Sequence, residues 1–334
     1  MSKRLCEFEI KEDGRCIYYI DGVEGEAGFC KQPDKFRCIP SILKSAPRLS
    51  NSSIQDYMKC KRLYWIRHIM GVQKKDCFKS NPLKMGTLMD NVVERIYART
   101  EEESSVAITN FNDTAHRIDI DEVSLAKVIS IARGYRTLIQ PNYNGLLGLQ
   151  YEFFYNLDDK VVIHGFYDRK YEDRFVDTKF TSKPQNYSTP FHLRSQFGTY
   201  FLADDNMQES VVEIIRVPEL RHNEDKESID EYKNRIYEDI LRRPSYYFIG
   251  YDGETETFGL RMARKEFNLD EIKGRYIAIS KEIVQRMKTN DWYCEETGCF
   301  SGGFQCDFLD ICENEDYMSE EMFEKRVVEI KDGK

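Results

Sequence analysis

The chain has 334 residues, 41% of them hydrophobic and 13% aromatic, enough for one large domain or two small ones. No apolar run approaches the roughly eighteen residues of a membrane-spanning helix. The start, MSKRLCEFEI, lacks the apolar core of a secretion signal, so a cytoplasmic protein is expected. The net charge of −9 argues against binding nucleic acid through bulk positive charge, although acid clusters that hold metals also lower net charge.

Ten cysteines in such a chain point to metal rather than disulfides. Four of them, Cys6, Cys16, Cys30 and Cys38, lie within residues 1–45 on two short strands and turn-rich sequence. Four thiolates suit tetrahedral zinc. Free or core cysteines and disulfides are the alternatives, because the spacing has no C-x2-C knuckle. A unit this short needs such a staple to fold alone.

The next segment opens with a serine run, 50–53, that can cap a helix. Ile54, Tyr57, Met58 and Leu63 follow as its apolar stripe. Lys59, Lys61, Arg62, Arg67, Lys74 and Lys75 crowd this stretch, with a weaker basic group at Arg216, Arg221 and His222. Such runs are either a phosphate-binding surface or a solvated helix face. A second helix spans residues 84–97, with Met89, Val92, Val93, Ile96 and Tyr97 facing inward. Residues 100–122 read as an acidic loop and 123–140 as a third helix.

From Tyr151 to Thr181 the pattern changes to three strands joined by tight acidic turns, Asp158-Asp159 and Glu172-Asp173. A two-residue loop at Glu172-Asp173 places Asp168 directly opposite Asp177, and Lys179 on the same face as Asp177. Carboxylates opposed across a hairpin repel, and a divalent cation would relieve them. Each acid ends an apolar run, unlike a solvated sheet face. Gln196 and Tyr200, four apart, share one face of the helix that follows. Val211–Pro218 reads as a further strand of the same sheet, followed by helices over Glu227–Leu241 and Phe267–Thr289. Cys294, Cys299, Cys306 and Cys312 close the folded part, and residues 316–334 form a charged tail.

The ordered set Gly165-x-x-Asp168, Asp177-Thr178-Lys179 and Gln196-x-x-x-Tyr200 resembles the PD-(D/E)xK nuclease superfamily in its RecB-like and Cas4-like branch. The segment with Ser50, Ser52, Tyr57, Cys60, Arg62, Tyr64 and Arg67 is similar to the one that opens those domains. The C-x5-C gap of Cys306 and Cys312 is similar to their closing cysteines. The resemblance covers residues 48–312 and departs from the family at Asp90, where the pattern G-x-x-x-H carries a metal-binding His. An Asp can also ligate Mg2+ or Mn2+; the alternative is an exposed helix residue.

The resemblance implies an α/β, restriction-endonuclease-like core within residues 46–315: a small mixed sheet flanked by helices. It implies a Mg2+- or Mn2+-dependent exonuclease acting from DNA ends in recombination, repair or processing, with recombination or replication proteins as partners. Asp90, Asp168 and Asp177 are the implied metal ligands, with Lys179, Gln196 and Tyr200 completing the catalytic set. Cys60, Cys299, Cys306 and Cys312 are the implied ligands of a [4Fe–4S] cluster, with Cys294 as an alternative to Cys299 and zinc as the competing metal. A catalytically silent DNA-binding subunit of a recombination complex is the alternative function.

Overall fold

The structure, a computed structural model, describes residues 48–98, 100, 111, 113–139, 141–158, 161–187, 190–253, 258–300, 305–313 and 322–325, with Tyr19–Ile20 and Phe29–Cys30. β1 (Tyr19–Ile20) and β2 (Phe29–Cys30) pair antiparallel. The expected four-cysteine unit otherwise lies outside the described residues, including Cys6, Cys16 and Cys38.

β3 (Arg48–Leu49) leads into α1 (Asn51–Lys59), α2 (Lys61–Tyr64), a wider helical turn over Trp65–Ile69, and β4 (Val72–Lys74). The expected serine cap is present. Ser50 Oγ accepts from the Ser53 amide at 3.1 Å, and Ser53 Oγ accepts from the Ser50 amide at 2.8 Å, satisfying two donors that a helix start leaves open. Ile54, Tyr57 and Leu63 are buried as expected, but Met58 is exposed. α3 (Asn81–Ile96) holds Pro82 in its first turn, where the missing N–H costs nothing. Residues 113–118 are helical rather than loop. α4 (Glu122–Leu138) is capped by Asp121, whose side chain accepts from the Ser124 amide.

Six strands form the main sheet: β3, β5 (Leu146–Asp158), β6 (Val161–Tyr171), β7 (Arg174–Thr181), β8 (Glu209–Arg216) and β9 (Leu260–Ala263). The first hairpin strand therefore begins at Leu146, five residues before the expected Tyr151. β5 runs antiparallel along one edge of β6. β3 and β7 share the other edge: β3 is parallel to its start at Val162–Ile163, and β7 is antiparallel to its end at Arg169–Lys170. β8 lies parallel to β7, reached through α5 (Pro190–Ala203), and β9 is antiparallel to β8. Further helices are α6 (Ile229–Arg242), continued by a short turn at Pro244–Tyr247, α7 (Leu269–Thr289), α8 (Glu296–Cys299) and α9 (Leu309–Glu313).

Helices cover both faces of the sheet. On one, Ile54 and Tyr57 of α1, Phe197 and Phe201 of α5, and Ile272, Tyr276 and Ile283 of α7 pack with Phe175, Val212 and Ile214. On the other, α3, α4 and α6 pack with Tyr171, Val176, Val211 and Ile215. Fully burying one such side chain contributes roughly 1.5–3 kcal/mol. A third, smaller core joins the two ends of the domain, with Cys60, Leu63, Ile66 and Val72 against Phe308, Ile311 and Phe323. Phe323 belongs to β10 (Phe323–Lys325), which pairs antiparallel with β4. Part of the expected charged tail is thus a strand with a buried anchor.

β6 does not keep a strand's alternation throughout. Tyr167 packs beside Phe175 and Tyr200, whereas Arg169 lies on the opposite side of the sheet against Glu213. Residues two apart on a regular strand share a face, so the chain turns over at Asp168. Opposite Asp168 in β5, Gln150 has a left-handed φ of 43°. Gln150 and Asp168 are skipped in the register between Leu149↔Arg169 and Tyr151↔Tyr167. Among the described residues, no helix is long and apolar enough to cross a membrane.

Candidate active site

The turnover at Asp168 is where the acidic site forms. β6 and β7 pair only at Arg169↔Val176 and Lys170↔Phe175. Extending that register sets Asp168 opposite Asp177, as the two-residue loop requires. Beyond the paired residues the Asp168 side chain reaches across the gap, and its Oδ2 accepts from the Thr178 amide at 2.9 Å.

Asp177 is almost completely buried. Its Oδ1 accepts from Gln196 Nε2 at 2.7 Å, and the same nitrogen is 3.0 Å from the Tyr200 hydroxyl. The spacing of four on α5 is what aims both side chains at the strand. Lys179 Nζ stands 2.7 Å from Asp177 Oδ2. The two groups form an ion pair, although Oδ2 accepts no hydrogen bond of regular geometry.

Burial and then the Asp177 charge push the Asp168 carboxyl up to about 7, against the opposing pull of Lys179, the Thr178 amide and Arg169. Asp90, on α3, is pushed up to about 8 by surrounding protein and then by Asp168, with Asp177 and Glu94 adding and Lys179 opposing. Asp90 itself is exposed to water. Burial would discharge Lys179, but Asp177 and Asp168 hold its ammonium charged above the usual lysine range. Burial raises the Tyr200 hydroxyl further from ionisation.

Asp168, Asp177, Lys179, Gln196 and Tyr200 are linked by hydrogen bonds and an ion pair, and Asp90 lies near enough to feel the charges of Asp168, Asp177 and Lys179. Hard carboxylate oxygens in mutual repulsion, one of them buried without a hydrogen bond, fit a cation such as Mg2+ or Mn2+. Among the described residues, no three His, Cys, Asp or Glu side chains are yet gathered closely enough to hold one ion.

The sequence did not reveal the support behind this site. Arg169 and Glu213 form a fully buried bidentate pair, with NH2 to Oε2 at 2.6 Å and NH1 to Oε1 at 3.1 Å. Breaking one side of such a pair costs about 3–5 kcal/mol. Glu94 was also missed, although it lies one turn beyond Asp90 on α3 and that spacing was available as a signal.

The cysteine end is assembled from both ends of the domain. Cys60 and Cys299 are buried, Cys306 is half-buried, and Cys294 and Cys312 are exposed. Cys60 Sγ accepts from the Glu295 amide at 3.4 Å, and Cys294 Sγ lies 3.5 Å from Cys299 Sγ. The Cys306 amide donates to the Cys299 carbonyl at 2.7 Å. Burial and then the Cys306 thiol push the Cys312 thiol up, with Arg62 opposing and Cys60 and Cys299 adding. The chemistry of this donor set suits iron–sulfur or zinc, and Cys77 lies apart as an exposed thiol. The basic residues nearby bind the two ends together. Arg62 Nε donates to the Trp292 carbonyl at 2.7 Å, Lys61 pairs with Glu295, and Lys74 pairs with Asp307.

Acids and a lysine thus stand on adjoining strands of a mixed sheet, faced by a helix-borne Gln and Tyr. A family model of the PD-(D/E)XK nuclease superfamily matches residues 48–313, and the chain belongs to that superfamily, whose members are typically nucleases. No curated protein matches the chain significantly.

Proposed function

We propose that the chain is a divalent-metal-dependent deoxyribonuclease that hydrolyses phosphodiester bonds from DNA ends, in recombination, repair or processing. The observation that carries this reading is Asp177: a buried carboxylate whose Oδ1 is held by Gln196 and whose Oδ2 faces the Lys179 ammonium at 2.7 Å.

Asp168, Asp177 and Asp90 would hold Mg2+ or Mn2+. A cation there supplies Lewis-acid polarisation of the phosphate and a bound water of lowered pKa. Lys179 keeps its charge beside Asp177 and stabilises negative charge growing on the phosphate oxygens. Gln196 orients Asp177, and the Tyr200 hydroxyl limits how Gln196 can turn. Cys60, Cys299, Cys306 and Cys312 would hold a [4Fe–4S] cluster that staples the two ends of the domain, with Cys294 able to replace Cys299. The N-terminal Cys6, Cys16, Cys30 and Cys38 are a candidate zinc set. Recombination or replication proteins are the expected partners.

The openness of Asp90 to water favours a second reading, a DNA-binding subunit without catalysis. Purified protein with Mn2+ is assayed on linear and covalently closed circular DNA. Degradation of the linear form alone supports an exonuclease. Cutting of the circle contradicts the need for an end. Binding without cleavage of either supports the silent subunit.

A further inference from the structure

Every element that carries a proposed metal ligand also touches one buried guanidinium, that of Arg169. Arg169 follows Asp168 on β6. Its NH2 donates to Thr178 Oγ1 at 2.9 Å, and Thr178 stands between Asp177 and Lys179 on β7. The guanidinium carbon lies 4.6 Å from the ring centre of Tyr97, the residue that caps α3, the helix of Asp90. Glu213 of β8 anchors the group from below, and the Tyr135 hydroxyl of α4 donates to Glu213 Oε2 at 3.0 Å. Arg169 and Glu213 are 1% and 0% exposed.

This contact falls where the ordinary spacer is missing. Ladder hydrogen bonds normally set the distance between neighbouring strands. Here the β6–β7 register stops at Arg169↔Val176, one residue short of the opposed acids. Past that point the two strands are joined by the hydrogen bond that the Thr178 amide donates to Asp168 Oδ2 and, on the far side of the sheet, by the one that Arg169 donates to Thr178 Oγ1. The guanidinium is planar and doubly held, so it fixes direction as well as distance.

We propose that Arg169 is a positioning residue: anchored by Glu213, it sets the separation of Asp168, Asp177 and Asp90 through Thr178 and Tyr97, and so tunes metal affinity from the face of the sheet opposite Asp177 and Lys179. It touches neither metal nor substrate. This inference rests on the reading of the three acids as a metal site.

Thr178→Val removes the hydroxyl that Arg169 holds while keeping shape and β-branching. Thr178→Ser keeps the hydroxyl. Mn2+ binding to the full chain is measured by the paramagnetic resonance of free Mn2+, alongside thermal melting in chelator. The expected result is a loss of about 10-fold or more in Mn2+ affinity for Thr178→Val, near-normal affinity for Thr178→Ser, and similar melting for both. Glu213→Gln, which weakens the anchor, should lower affinity in the same direction. Wild-type affinity in Thr178→Val, or a lower melting temperature with unchanged affinity, would overturn the proposal and leave Arg169 a purely structural ion pair. A wild-type protein that binds no Mn2+ would instead overturn the metal-site reading on which the proposal rests.

Discussion

Gln196 Nε2 lies 2.7 Å from Asp177 Oδ1 and 3.0 Å from the Tyr200 hydroxyl, so one amide joins the helix to the buried carboxylate. Gln196 thus acts on Asp177 before it meets any substrate. A group that orients a metal ligand is worth about 10–100-fold in metal affinity or activity when removed. Gln196→Ala should therefore raise the Mn2+ concentration needed for half-maximal cleavage by a factor in that range. Titrating cleavage rate against Mn2+ checks this; an unchanged midpoint would assign Gln196 to substrate alone.

The carboxyl of Asp168, raised to about 7, holds a proton near neutrality in the metal-free protein. The unfolded chain releases that proton near 3.8, so the folded state binds more protons between that value and about 7. Two signs follow. Metal-free stability should fall as pH rises through this window, because charging the crowded acids favours unfolding. Mn2+ affinity should rise over the same window, because the cation no longer competes with protons. Calorimetry in two buffers of different ionisation enthalpy should detect proton release at neutral pH and little at high pH.

Gly165 explains one feature of the motif that precedes Asp168. A Cβ there would stand 2.6 Å from Phe153 Cζ and 2.9 Å from Cε1, against a ring that is itself packed on Tyr167. Gly165→Ala should destabilise the fold by about 1–3 kcal/mol through overpacking and disturb β6 three residues before Asp168. Chemical denaturation measures the first effect, and Mn2+ titration the second.

Much of this site was legible because strand alternation and helix spacing are strict. The acidic loop at Glu172-Asp173 dictated the Asp168–Asp177 opposition, and the interval of four between Gln196 and Tyr200 dictated a shared helix face. Arg169 was not legible. In sequence it is the middle of three consecutive charged residues, Asp168-Arg169-Lys170, of a kind normally turned to water, and its partner Glu213 lies 44 residues away. The turnover at Asp168 was also hidden, since it needs Gln150 in a left-handed conformation that glutamine rarely adopts. The basic segment was visible as charge, but charge alone cannot tell phosphate contacts from bonds such as Arg62 to Trp292.

Cys60 and Cys306 belong to the small core that joins the ends of the domain, and Cys299 and Cys294 lie beside each other and are tied to it through backbone hydrogen bonds. Anaerobically purified protein should carry about four irons per chain. Cys60→Ser should lower both iron content and melting temperature, because metal affinity here is also folding energy. Comparing Cys294→Ser with Cys299→Ser identifies which thiol is the ligand. Stoichiometric zinc in place of iron would contradict the cluster.

The most direct measurement is Mn2+-dependent release of nucleotide from end-labelled DNA by wild type, Asp177→Ala and Lys179→Ala, each checked for folding by circular dichroism. The account predicts release by wild type and a loss of about 10²–10³-fold or more in each variant. Equal release by all three would contradict it.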